Sequence, residues 1–192
     1  MRMKSALIAL VGAASMAAQS FEVGGFGGIN RVGSPNLGNL SLTSLEKVSF
    51  KDGWKFGFRM AFNSWRYLGH ETGYAYNRTK LDIQGEQTGM AIHQGSYNFL
   101  AYAVPEGKPV RPFATGGVNF NNFVPPGASA QYGQGETKFG FNYGAGVKFR
   151  VNHMWGARLD VRQYECGKPF DLPNASGRIK LFEVSVGVYV WM

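Results

Sequence analysis

The residues best suited to catalysis in this chain are its histidines, His70, His93 and His153. A hydrolase places a histidine within hydrogen-bond reach of a nucleophilic serine and an acid. Side chains two positions apart share one face of a strand, but no serine stands two positions after any of the three. Ser96 follows His93 by three positions and would lie on the opposite face. The sequence therefore predicts no catalytic, cofactor-binding or metal-binding residue, and we interpret the chain as a non-enzyme.

Charged residues at alternating positions are the second group whose chemistry matters. They stand opposite the aromatic side chains in several stretches of the chain. If their face lines a narrow interior, they must pair, because an unpaired buried charge costs more free energy than a pair. The sequence thus predicts a network of ion pairs that plugs the interior. A narrow pore that favours anions is the alternative, since basic groups are in excess. The predicted network comprises Arg59, Glu71, Lys148, Arg158, Asp160, Arg162 and Glu183.

Alternation of apolar and polar residues at period two predicts the elements that carry these charges. Four stretches show the alternation clearly and four show it more weakly. In the first weak stretch, Phe26 falls out of phase with Phe21 and Val23, which favours a bulge there. The predicted strands cover about 21–31, 54–62, 67–78, 89–103, 111–123, 138–150, 155–162 and 182–192.

The connections between these strands alternate in length. Alternate connections emerge at the same end of an up-and-down barrel, so all long loops lie on one side and all short turns on the other. The pattern predicts an all-β fold, an eight-stranded antiparallel transmembrane β-barrel with long extracellular loops and short periplasmic turns. The predicted long loops are 32–50, 79–88, 124–137 and 165–178, and the short turns are 63–66, 104–110 and 151–153.

Glycine placement indicates which face of the barrel points outward. Gly57, Gly73, Gly144 and Gly187 share the face of the charged residues. The interior of an eight-stranded barrel is just wide enough to be filled by side chains, so glycines there make room for long charged groups. The aromatic face is therefore predicted to contact lipid, with girdles near the strand ends. A soluble barrel with its apolar face inward is the alternative. The predicted lipid-facing and girdle residues are Trp54, Phe56, Phe58, Phe62, Tyr76, Phe139, Phe141, Phe149, Trp155 and Val186.

The N-terminus has the composition of a secretory signal peptide. Two basic residues precede a short apolar run and a group of small residues, so cleavage is expected after Ala17 or after Ser20. Residues 1–20 are predicted to be the signal peptide and 21–192 a single barrel domain. Secretion through the inner membrane, followed by insertion as strands, predicts an outer-membrane protein.

Composition argues against a disulfide-stabilised fold and against a nucleic-acid-binding protein. The single cysteine, Cys166, cannot form an internal disulfide and is expected as an exposed thiol in the last long loop. The formal net charge of +8 is dispersed along the chain without a nucleic-acid-binding motif, so no nucleic-acid partner is expected.

Three stretches carry a resemblance to a known family. Arg-Pro-Phe-Ala-Thr-Gly-Gly-Val at 111–118, Phe-Asn-Tyr-Gly-Ala-Gly-Val-Lys-Phe at 141–149 and Arg-Leu-Asp-Val-Arg-Gln-Tyr at 158–164 are similar to the fifth, sixth and seventh strands of small bacterial outer-membrane β-barrels. The chain over 21–192 resembles the OmpA-type transmembrane domain, OmpX, and the opacity and Ail proteins. The resemblance implies ion-pair networks that plug the lumen. It also implies recognition of the last strand by the barrel-assembly machinery, although the family's terminal Phe is replaced here by Trp191 and Met192.

The function expected from this resemblance is that of a structural or surface-interaction scaffold. Its loops are expected to contact lipopolysaccharide, outer-membrane lipids or other surfaces, and the barrel is expected to be a monomer. A small passive, porin-like pore is the second hypothesis. A lipid A-modifying enzyme is the third, although the deacylases of this size carry a His-x-Ser element that this chain lacks.

Overall fold

Alternating side chains build a sheet of ten strands in the computed structural model, which describes residues 20–33, 36–39, 47–128, 135–170 and 177–192. Successive residues of the long strands point to opposite faces, as the pleat requires. No helix within these ranges is long and apolar enough to cross a membrane. The strands are β1 (Ser20–Val32), β2 (Asn36–Asn39), β3 (Lys47–Phe50), β4 (Gly53–Trp65), β5 (Leu68–Ile83), β6 (Glu86–Tyr102), β7 (Val110–Val124), β8 (Glu136–Arg150), β9 (Trp155–Gly167) and β10 (Arg178–Trp191).

The eight long strands close into a barrel because β1 pairs with β4 on one side and with β10 on the other. Strands β4 to β10 follow in chain order, each antiparallel to its neighbours. The predicted eight-stranded antiparallel barrel is therefore confirmed. In this ring β5 and β9 lie opposite each other, with three strands between them on either path. Side chains that point inward from β5 and β9 can therefore meet only across the lumen.

The short strands β2 and β3 extend the barrel wall at the end of the long loops. They pair with each other, and β3 also pairs with the outer part of β5, through Val48 with Ile83 and Phe50 with Leu81. The connection 32–50, predicted as a long loop, thus contains paired strands. Its inward side chains are buried, including Leu37 at 0% exposure.

The prediction of a long loop over 79–88 is wrong. Strands β5 and β6 continue past the predicted strand ends and meet at a two-residue turn, where Gln84 and Gly85 both have positive φ (55° and 94°). The Gly85 amide donates to Asp82 Oδ1 at 3.0 Å. This hydrogen bond and the nearby Lys51 ammonium lower the pKa of the Asp82 carboxyl. Lys80 and Asp82 face outward while Thr79 and Leu81 are buried, so alternation continues into what composition alone marks as a loop.

The expected bulge at Phe26 is also wrong. Strand β1 pairs without a register shift, and Phe26 lies between Gly57 of β4 and Gly187 of β10. A Cβ at Gly187 would come within 2.9 Å of the Phe26 Cβ. Phe26 therefore points into the lumen, where its ring lies 3.7 Å from the Arg59 guanidinium carbon. Its change of phase reflects an aromatic residue on the inner face and not an extra residue in the strand.

An apolar layer fills the barrel at the end that carries the long loops. Strands from all sides of the ring contribute to it, and Val32, Ile83 and Phe170 pack against it. Cys166 is 1% exposed within this layer, so the expected exposed thiol is wrong. The reason is that β9 extends to Gly167 and the parity of Tyr164 continues to Cys166. The buried residues of the layer are Leu37, Val48, Phe50, Leu81, Met90, Ile92, Phe123, Tyr164, Cys166, Ile179 and Leu181.

The outer surface of the barrel carries the residues that were predicted to face lipid. Phe139 is the most exposed of them, at 77%. Phe62 and Tyr76 are half-buried, because Phe62 packs on Phe21 at 4.8 Å and Tyr76 packs on Phe56 at 5.6 Å between ring centroids. The exposed members are Trp54, Phe56, Phe58, Phe139, Phe141, Phe149, Trp155 and Val186.

Candidate functional site in the barrel lumen

The inward faces of four strands meet in a cluster of ionised side chains at the middle of the lumen. The alternation that exposes the aromatic rings of these strands points their charged residues inward. Arg59, Arg158 and Arg162 supply three of the cations, and all three are at most 7% exposed. The cluster comprises Lys55 and Arg59 of β4, Glu71 of β5, Arg158, Asp160 and Arg162 of β9, and Glu183 of β10.

Glu183 joins β10 to β4 across the intervening β1. Its Oε2 lies 2.5 Å from Lys55 Nζ, and its Oε1 lies 2.5 Å from Arg59 Nη2. The Ser185 hydroxyl also donates to Glu183 Oε1. Glu183 is fully buried, so these three donors replace the water that an exposed carboxylate would bind.

Glu71 and Asp160 link the opposite walls of the barrel. Asp160 accepts from Arg59 Nη1 at 3.0 Å, Arg158 Nε at 2.7 Å and Arg162 Nη2 at 2.9 Å. Glu71 accepts from Arg162 Nη2 at 2.7 Å and also pairs with Arg158. Because Glu71 belongs to β5 and the two arginines to β9, their contacts span the full width of the lumen.

The charges of the buried cluster nearly balance. Four cations face three carboxylates, which leaves a formal charge of +1. Each carboxylate contacts at least two cations. Buried charges are tolerated when good geometry and further hydrogen bonds compensate for the lost hydration, and both conditions are met here.

Lys148 is the member of the predicted network that lies apart from the rest. Its Nζ contacts Glu22 Oε2 at 2.5 Å and Tyr102 Oη at 2.8 Å, nearer the turn end of the barrel. Asn63 donates to the same Glu22 carboxylate and accepts from Tyr102. A second, smaller polar layer therefore lies between the ion cluster and the short turns.

The prediction omitted three buried charged residues, Lys55, Glu22 and Arg111. Lys55 has the parity of Arg59 in the clearest strand of the sequence, so alternation alone could have found it. Glu22 lies in the glycine-rich first strand, where the glycines and the expected bulge at Phe26 left the inward face unassigned. The pairing of Glu22 with Lys148 is visible only in the three-dimensional fold.

At the level of the ion cluster, the wall formed by β6, β7 and β8 carries buried carboxamides and no charge. Its buried cations, Arg111 and Lys148, lie nearer the turn end. Gln94 bridges the two halves of the lumen, because its Oε1 accepts from Lys55 Nζ at 2.7 Å and its Nε2 donates to Asn121 at 2.9 Å. Asn119 is 3% exposed, and neither atom of its amide has a partner among the described residues. At the level of the ion cluster the lumen is thus ionic on one side and polar but uncharged on the other.

The histidines lie away from the lumen. On the outer face, His70 Nδ1 is 2.9 Å from Tyr97 Oη, and His93 Nδ1 is 2.6 Å from Tyr74 Oη. His153 belongs to the turn between β8 and β9. Within the described ranges no serine bonds to a histidine, and no group of three His, Cys, Asp or Glu side chains could hold a metal ion. The tyrosine contacts place His70 and His93 within the aromatic outer surface.

The class of protein follows from these features. An antiparallel barrel of eight strands, with an apolar and aromatic outer face and an ion-paired interior, is a transmembrane β-barrel. The sequence profile of the outer membrane protein beta-barrel domain matches residues 5–189. The chain therefore belongs to this family and is an outer-membrane β-barrel protein, as the sequence resemblance predicted. A search of curated proteins found no significant match.

Solved structures of similar fold come from several Gram-negative outer membranes. Neisserial surface protein A is 18% identical with a TM-score of 0.61, covering 88% of this chain and 96% of its own. OprG from Pseudomonas aeruginosa is 16% identical with a TM-score of 0.60, covering 92% and 97%. The N-terminal barrel domain of P. aeruginosa OprF is 12% identical with a TM-score of 0.54, covering 91% and 98%. At these identities the likeness concerns the fold alone.

Proposed function

We propose that the protein is a structural scaffold of the outer membrane whose barrel is closed to solutes and whose loops carry its interactions. The observation that carries this proposal is the contact of Glu71 with Arg158 and Arg162, which joins opposite walls through buried ion pairs. Above it, the apolar layer around Phe50 and Phe123 blocks the same path with closely packed rings, 5.8 Å apart. Two unlike barriers in series support a plugged lumen.

The extracellular strand ends supply the contacts of such a scaffold. Loops on a rigid framework are the usual place for specific recognition. The β2–β3 and β5–β6 extensions provide such a framework here. Exposed cations point outward beneath these loops and are suited to the phosphate groups of lipopolysaccharide. They include Arg31, Arg78, Lys80 and Lys180. The proposal thus includes lipopolysaccharide as a partner and a monomeric barrel.

Export and insertion complete the proposal. The signal peptide 1–20 lies outside the described residues except for Ser20, which begins β1 and whose hydroxyl accepts from Asn63 at 2.8 Å. That contact favours cleavage after Ala17 over cleavage after Ser20. Recognition by the barrel-assembly machinery is assigned to β10, whose outward residues alternate without interruption from Phe182 to Val190.

The closed lumen predicts very low conductance. Refolded wild-type protein in planar bilayers should give small or rare events. Glu71→Ala should give larger and more frequent events, because Arg158 and Arg162 lose their acceptor on the opposite wall. Glu86→Ala, an exposed acid in the β5–β6 hairpin, is the matched control and should behave as wild type. Large, stable conductance of the wild type would contradict the scaffold and favour a pore.

A small passive pore is the second candidate, and two features of the lumen favour it. The ion cluster has an excess of positive charge, and the wall around Asn119 is polar without being charged. A path along this wall would favour anions over cations. The reversal potential of any wild-type current in a salt gradient measures its ion selectivity. Selectivity for anions would support this candidate.

Catalysis is not part of the proposed function. His70 and His93 engage tyrosine hydroxyls, and such pairs lack the nucleophile and acid of a hydrolase. Lipid A from cells that overproduce the protein should therefore have an unchanged acyl composition by mass spectrometry. Loss or gain of an acyl chain that disappears in His70→Ala or His93→Ala would restore the enzyme hypothesis.

A further inference from the structure

The turn end of the barrel opens into a cavity of about 440 Å³. It lies beyond the Glu22–Lys148 layer and is bounded by the turn between β6 and β7 and by the last residues of β10. Its volume is within the range of small-molecule sites. The cavity belongs neither to the ion cluster nor to the loops, and the proposed scaffold function makes no use of it.

The lining of this cavity is predominantly basic. Lys148 is neutralised by Glu22 at 2.5 Å. The other cations are Lys108, Arg111 and Arg150, and none of them has an ion pair within the described part of the chain. Glu106 is the one further acidic side chain in the lining, so the side chains of the lining carry a formal excess of two positive charges. A concave surface with charge of one sign concentrates ions of the opposite sign.

Arg111 lies in the cavity wall in an orientation fixed by its contacts. Its guanidinium lies 3.4 Å from the centre of the Tyr102 ring, and it is 5% exposed. Its Nε donates to Val104 O at 3.4 Å and its Nη2 donates to Arg66 O at 2.9 Å. These bonds use two of the five N–H groups of a guanidinium. Three remain without an acceptor in the described residues, on a group whose orientation is already fixed.

Arg150 supplies a second cation with no acidic partner. Its guanidinium carbon lies 4.4 Å from the centre of the Trp191 ring, and no described hydrogen bond engages the side chain. Arg150 follows Lys148 by two residues in β8, so both side chains point inward. Lys148 pairs in register with Arg111 of β7. The two arginines therefore border the same cavity from neighbouring strands.

We propose that this periplasmic mouth binds a small oxyanion, a phosphate or carboxylate group, between Arg111 and Arg150. Planar guanidinium groups match the geometry of both oxyanions and can hold each through paired hydrogen bonds. The site is independent of the proposed scaffold function, because it lies outside the plug and needs no passage through the lumen.

Calorimetric titration of the refolded full-length protein in zwitterionic micelles tests the proposal. Sodium pyrophosphate probes the phosphate chemistry and sodium citrate the carboxylate chemistry, both at constant ionic strength. Saturable binding of either is expected, and Arg150→Gln should weaken it about tenfold, since a hydrogen bond to a charged group is lost. Arg150 is exposed and has no structural bond, so this variant should fold.

Arg178→Gln is the matched control, because Arg178 is exposed at the loop end of β10 and its guanidinium carbon also lies over an aromatic ring, 5.0 Å from the centre of Phe141. Its affinity for the anions should equal that of wild type. Trp191 fluorescence should report the same binding as Arg150 moves from its ring, and the response should vanish in Trp191→Phe. The proposal is overturned by the absence of saturable binding, by wild-type affinity in Arg150→Gln, or by equal losses in Arg150→Gln and Arg178→Gln.

Discussion

Asp160→Asn should lower the free energy of unfolding by about 3–5 kcal/mol, the cost of breaking a buried ion pair by removing one partner. Arg59, Arg158 and Arg162 all donate to this carboxylate. Asparagine has nearly the same shape, so the loss reports charge and not a cavity. Urea unfolding in lipid vesicles, followed by tryptophan fluorescence, measures it.

The comparison that isolates the ion cluster uses two further variants. Asp82→Asn removes a carboxylate at the exposed β5–β6 turn and should change stability little, because exposed pairs are screened by water. Asp160→Asn combined with Arg158→Met removes a cation as well and should recover part of the stability. If Asp160→Asn unfolds at the urea concentration of wild type, the cluster does not hold the barrel walls together.

Val186→Arg should cost about 2–4 kcal/mol, the penalty for a cation on the lipid face near the middle of the bilayer. Val186 is 58% exposed on the outer face. Gly27 of β1 and Leu159 of β9 are its neighbours in register. No side chain of opposite charge stands at these positions to compensate for the lost hydration. Reversible unfolding from vesicles of neutral lipid provides the measurement.

The same substitution nearer the membrane surface is the control for Val186→Arg. Val190→Arg lies on the same face, near the turn end of β10, where the same change should cost at most about 1 kcal/mol because the side chain reaches the interface. Equal costs at the two positions would show that the outer face does not contact hydrocarbon where this orientation places it.

Alternation predicted most of the fold because a residue's parity fixes its face, whatever strand lies next to it. Trp54, Arg59, Val186 and Glu183 were all placed correctly on the outside or the inside by this argument alone. The same argument would have extended β9 to Cys166 had the parity been followed past the polar residues. Polar composition marks a loop only where the period of two ends.

Partners in the lumen could not be predicted in the same way. The pairing of Glu71 with Arg158 depends on β5 and β9 being opposite in the ring, and that of Glu22 with Lys148 depends on the stagger of β1 against β8. Strand register and ring closure are properties of the whole barrel and are not encoded in any one strand. A single inward ring, Phe26, was enough to obscure the direction of the first strand.

The order of the layers along the barrel axis makes the two sides of the membrane unequal. From outside the cell, the first layer within the lumen is the apolar one around Phe50, Phe123 and Cys166. From the periplasm, the first layer is the basic mouth, and the hydrogen-bonded Glu22–Lys148 pair follows. Protons and small ions cross polar surroundings at much lower cost than apolar ones. Among the described residues, the ionised centre of the barrel is therefore separated from the outside by an apolar layer and from the periplasm by polar ones, so the free-energy cost for an ion to approach it is lower from the periplasmic side.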